Sequence, residues 1–124
     1  HITLGSHVKA IVAFMTDKER EKILARKRLH FYGEASELNM NRLKGELDKC
    51  RRLGFAQDKG EVTPGVNVVS SPIFGIGEKI IGCIMLMGTF LESKMDEFGN
   101  KVSGIAKQIS YKLGANVEAI YPMT

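Results

Sequence analysis

Tryptophan is absent from this 124-residue chain, and cysteine (two), proline (three) and histidine (three) are scarce. Two cysteines cannot build the bridge framework of a small secreted domain, so Cys50 and Cys83 are expected to be small core residues of a cytosolic protein. No apolar run approaches the roughly 18 residues that span a bilayer, and the N-terminus lacks the basic start and leucine-rich stretch of a secretory signal. His1, His7 and His30 have no metal-ligand spacing and neither cysteine belongs to a CxxC pair, so neither a metal nor a cofactor is expected. Ser70-Ser71 lack the Gly-x-Ser-x-Gly context of a nucleophile elbow. The GxG of Gly75-Ile76-Gly77 precedes a strand-like run, where a dinucleotide site needs a helix, and reads as a hairpin turn. No catalytic residue emerges, and an enzyme is not expected.

The length suits one compact domain, with 44% apolar and 26% charged residues as in ordinary globular proteins. The net charge of +4 is concentrated at Lys18–His30, where Lys18, Arg20, Lys22, Arg26, Lys27 and Arg28 face only Glu19 and Glu21. No aromatic residue interleaves these cations up to Arg28, which favours a solvated helix end over a phosphate-binding patch.

Ser6 is placed to cap a helix with Val8, Ile11, Val12 and Met15 on one face. Thr16-x-x-Glu19 reads as a capping box opening a short helix through about Ala25, and Leu29–Glu37 as a loop. Met40, Leu43, Leu47 and Cys50 form the stripe of a third helix, with Lys44, Glu46, Asp48, Lys49 and Arg51 toward water and Gly54 as its left-handed stop. Phe55–Val62 reads as a polar loop and Pro64-Gly65 as a turn. Val66–Phe74 and Lys79–Met87 form a hairpin. Met95, Phe98, Val102, Ile105, Ile109 and Leu113 mark a last helix, opened by Ser93-x-x-Asp96, stopped by Gly114, and carrying Gly99 and Gly104 where close packing against the sheet would tolerate them. The expected architecture is α/β: a twisted, mainly antiparallel sheet with helices packed against it. Two strands alone are marginal, so partner strands are expected from upstream sequence or another chain.

Taken in order, Gly54-Phe55-Ala56-Gln57-Asp58, Lys59-Gly60-Glu61, Pro64-Gly65, Ser70-Ser71-Pro72-Ile73-Phe74 and Gly88 follow the spacing of a known pattern, as do Thr3–Ala13 and the last helix. The chain resembles the effector-binding domain of IclR-type bacterial transcriptional regulators. The resemblance implies a GAF/profilin-like fold and a cytoplasmic homodimer or homotetramer that senses a small-molecule effector. It also implies a winged helix-turn-helix and opening strands upstream of His1, so that DNA is met only through a domain outside this chain. It carries Ser6, His7, Asp58, Val66, Val68, Met85 and Met87 onto the family's ligand-contacting positions. In the better-known members, which sense small keto acids, helix-start amides hold the carboxylate and serines stand where Met85 and Met87 are here.

Strand alternation independently groups Val66 with Val68 and Met85 with Met87. A turn centred between Ile76 and Gly77 would set Val68 against Met85 and Val66 against Met87. Against the pattern that the resemblance implies, two hydroxyls have become the thioethers of Met85 and Met87, Val68 stands where a keto-acid-binding member has Cys, and His7 replaces a small residue. These departures favour an apolar or aromatic ligand over a small keto acid. Asp58, the ionisable group expected at the rim from the loop side, adds a preference for one hydrogen-bond donor on that ligand. The other readings are a dimerisation module with a vestigial pocket and a small enzyme of GAF-like shape, the latter opposed by the missing nucleophile–base pair.

Overall fold

The computed structural model describes residues 2–3, 5–25, 29–30 and 40–120. Ile2–Thr3 (β1) pairs in parallel with Leu29–His30 (β2). Between them lie α1 (Ser6–Ala13) and α2 (Asp17–Leu24). Thr16 and Glu19 form the expected capping box of α2 through reciprocal bonds of 3.3 Å. Arg20 donates to Asp48 and to the Lys44 carbonyl, while Lys18 and Lys22 are exposed; Arg26, Lys27 and Arg28 lie outside the described residues. Most of the segment read as the Leu29–Glu37 loop also lies outside them.

Helix α3 (Met40–Leu53) buries Leu43, Leu47 and Cys50 as its stripe requires. Gly54, at φ 88°, ends it in the left-handed conformation and donates to the Cys50 carbonyl. The following segment is not a loop throughout. Ala56–Lys59 form β3, antiparallel to β4 (Asn67–Phe74), because the ladder to β4 absorbs backbone groups that a polar four-residue run does not advertise. The Thr63–Val66 turn carries Pro64 and a left-handed Gly65, the pattern of a type II turn, closed by the Val66 N–H on the Thr63 carbonyl.

Strand β5 (Ile80–Gly88) completes an antiparallel sheet of order β3-β4-β5. Its register differs from expectation: Val68 faces Met87, Ser70 faces Met85, and Val66 precedes the strand. Gly75–Lys79 make a longer turn with Gly77 and Glu78 both left-handed, and a bulge at Ile73/Phe74 absorbs one residue. The slip is two residues, so every side chain keeps its face.

Ala56, Asp58, Val68, Ser70, Cys83, Met85 and Met87 share one face, on which helices α1 and α3 pack, leaving Met85 and Met87 exposed at its edge. The other face packs on α4 (Met95–Lys112), with Val69 beside Phe55, Met95 and Val102. Helix α4 starts after a 3₁₀ turn at Glu92–Lys94 with no side-chain cap, so Ser93 does not play its expected part. Its buried line is Met95, Gly99, Val102, Ala106 and Ser110; Ile105 and Leu113 face outward. Small residues occupy that line because the sheet approaches closely: Gly99 lies against Phe55, and the Ser110 hydroxyl accepts the Phe74 N–H at 3.0 Å. Gly104 has no such neighbour. Gly114 stops α4 at φ 91°, and a short α5 (Val117–Ile120) follows that no periodicity announced.

Candidate functional site

The first turn of α1 stands over the far end of the sheet. Its N-cap is Gly5, not Ser6, and no side chain caps it. Ser6 is the first helical residue, buried, with its Oγ 2.6 Å from Ser70 Oγ on β4. This bond pins α1 to the central strand and leaves the first-turn N–H groups at the edge of the depression beside it.

That depression is a cavity of about 110 Å³ lined by Gly5, Ser6, His7, Asp58, Val62, Thr63, Val66, Val68, Met85 and Met87. All seven residues proposed from the sequence meet there. Gly5, Val62 and Thr63 were not anticipated; the last two are exposed residues just before Pro64, at the rim of the depression. Asp58 is 1% exposed, and its Oδ1 accepts the Glu61 N–H at 2.7 Å. One oxygen of its carboxylate is therefore engaged by the loop that follows β3. Met87 is 62% exposed and Met85 41%, since among the described residues β5 pairs only with β4.

Two further depressions lie elsewhere. A charged cleft of about 220 Å³ runs between α3 and β3, lined by Lys9, Arg42, Glu46 and Glu61 above Cys50 and Phe55. A wide groove along the start of β5 is lined by Ile11, Phe14, Met15, Ile23, Ile80 and Ile81. No group of three or more His, Cys, Asp or Glu residues among those described has metal-holding geometry. Burial pushes the Cys50 thiol up to about 12, with a smaller contribution from nearby Cys83, itself raised by burial. Neither is poised as a nucleophile.

The family profile described as "Bacterial transcriptional regulator IclR C-terminal" matches residues 3–111. The chain belongs to this IclR C-terminal family. It is 28% identical to the transcriptional repressor IclR of Escherichia coli over 109 residues, covering 86% of this chain and 40% of that protein. The HTH-type transcriptional repressor AllR of the same organism is 27% identical over the same shares. Among solved structures, IclR of Thermotoga maritima superposes with a TM-score of 0.72 at 30% identity, over 89% of this chain and 46% of that one. The C-terminal domain of the E. coli regulator KdgR gives 0.69 at 22% identity, over 89% and 69%. This IclR-type chain thus spans about two-fifths of the curated relatives just named. Among its described residues, no helix is long and apolar enough to cross a membrane.

Proposed function

We propose that this IclR-type domain senses a small organic effector in the cavity beneath α1, and that the effector biases DNA binding by a separate winged helix-turn-helix domain in a cytoplasmic regulator. The relatives named as repressors support regulation in preference to catalysis. One observation carries the reading: Ser6, His7, Asp58, Val66, Val68, Met85 and Met87 converge on one cavity.

The ligand class follows from that wall. Val62, Val66, Val68, Met85 and Met87 offer an apolar surface, and the uncapped α1 start offers N–H donors. An apolar cavity of about 150 Å³ accepts benzene. At about 110 Å³, this one admits a single ring once the flexible thioethers move aside. The effector is therefore an apolar or aromatic body of one ring, with a hydroxyl that His7 or the helix-start amides can engage. Ligand binding regulates only if it favours one of two subunit arrangements over the other.

The apolar, outward side chains of β5 favour a second element of the same reading. Ile81, Met85, Leu86 and Met87 are exposed along an edge strand, and such edges are covered in native proteins. A further strand, from the part of the regulator outside this chain or from another copy, would complete a GAF/profilin-like sheet and contribute to a dimer or tetramer.

Native mass spectrometry of the intact regulator, followed by calorimetric titration with phenol, pyruvate and glyoxylate, tests the proposal. A co-purifying single-ring compound, or preference for phenol, is expected. Preference for either keto acid would overturn the ligand class, and no binding of any small molecule would favour a purely dimerising module.

A further inference from the structure

Lys9, in the first half of α1, is 2% exposed, and lysine is almost never fully buried unless paired. Its Nζ is 3.0 Å from Glu46 Oε2 on α3 and 2.9 Å from Glu61 Oε2 in the loop after β3. Arg42 approaches the same two carboxylates from the other side, with Nε 3.4 Å from Glu46 Oε1 and a terminal nitrogen 3.6 Å from Glu61 Oε1. Among the described residues, two cations and two carboxylates thus form a charge-matched quartet joining α1, α3 and the loop.

Glu61 is where this quartet meets the cavity. Its N–H is held by Asp58, and the next residues, Val62, Thr63 and Val66, form the cavity wall. Left-handed Gly60 (φ 70°) and Gly65 (φ 81°) bracket the segment, so few backbone torsions need change for it to move as a unit. Lys9 is the buried member of this cluster, and an ion pair taken out of water adds little net stability compared with apolar packing of equal volume; its best-attested use is to select one geometry.

We infer that Lys9 and Glu61 are positioning residues for the cavity's ligand: the quartet holds the Gly60–Val66 segment against the cavity and links its occupancy to α3. Lys9 touches no ligand. It acts through Glu61, and Glu61 acts through the wall residues that follow it. The inference rests on reading the cavity as the effector site.

Hydrogen–deuterium exchange and phenol calorimetry on the intact regulator test it together. Glu61→Gln should speed exchange of the Glu61 and Val66 amides about tenfold, with α4 amides unchanged. Lys9→Met leaves two partly buried carboxylates with one cation fewer and should lower Tm. Adding Glu61→Gln restores the charge balance and should recover most of that loss, yet phenol should still bind about fivefold more weakly than to wild type. A merely structural role predicts that affinity recovers with Tm. Wild-type affinity in the double variant, or unchanged loop exchange in Glu61→Gln, overturns the inference. Failure of wild type to bind phenol would instead count against the cavity reading, and the exchange experiment would then decide by itself whether the quartet holds the segment.

Discussion

Gly99 of α4 lies against the ring of Phe55, so close that a methyl group at that position would overlap the ring. Phe55 is itself buried against Met95, Val102 and Val69. Gly99→Ala should therefore destabilise the domain by about 1–3 kcal/mol through overpacking, despite the better helix propensity of alanine. Gly104, on the same helix with open space around it, should behave oppositely: Gly104→Ala should add up to about 1 kcal/mol. Urea unfolding of the two variants checks the pair, and a shared sign would show that the approach of α4 to Phe55 is misplaced.

Met85 and Met87 supply one side of the cavity. Replacing both with serine should weaken a single-ring ligand by about 1–3 kcal/mol through lost apolar burial. It should also improve the relative binding of pyruvate and glyoxylate, to which new hydroxyls can donate. Calorimetric titration of wild type and double variant measures both effects, and equal phenol affinity in the two proteins would remove these side chains from the site.

Alkaline stability should report on Cys50. Burial raises its thiol from 9.0 to about 12 in the folded protein, so between these values the unfolded chain has released a proton that the folded chain retains. The contribution is fully present below pH 9 and is lost as pH climbs toward 12. Cys50→Ala should show a shallower fall of stability between pH 9 and 11 than wild type. Identical slopes, measured by chemical denaturation, would mean that other groups account for the whole alkaline loss.

Residues 1–124 alone should show only weak, salt-sensitive association with DNA. The exposed cations of α3 (Lys44, Lys49, Arg51 and Arg52) are interrupted by Asp48, and Arg20 is engaged with that same Asp48. A gel shift at physiological salt checks this; tight, sequence-selective binding would contradict it. On the proposed mechanism the full-length regulator should sediment as a dimer or tetramer, since a protein that reads two half-sites needs a symmetric assembly. A monomer at micromolar concentration would defeat the proposed mechanism.

The sequence by itself determined the features that rest on neighbours a few residues apart. Thr16 and Glu19 cap α2, Gly54 and Gly114 end helices in the left-handed conformation, and Pro64-Gly65 makes its turn. Each depends on local hydrogen bonds or on glycine's freedom at positive φ. The faces of β4 and β5 were legible as well, because alternation along a strand survives a slip of two residues. Tertiary structure decided the rest. The register depends on how Gly75–Lys79 folds, with Glu78 left-handed and its carboxylate accepting the Asn116 N–H from beyond α4. Asp58 lies in a strand because β4 supplies the ladder. The buried line of α4 consists of glycine, alanine and serine as much as of large apolar residues, since the sheet sets how much room each position has. Burial of Lys9 was invisible for the same reason: the Glu46 and Glu61 carboxylates that make it tolerable lie far along the chain, and only folding brings them within 3.0 Å.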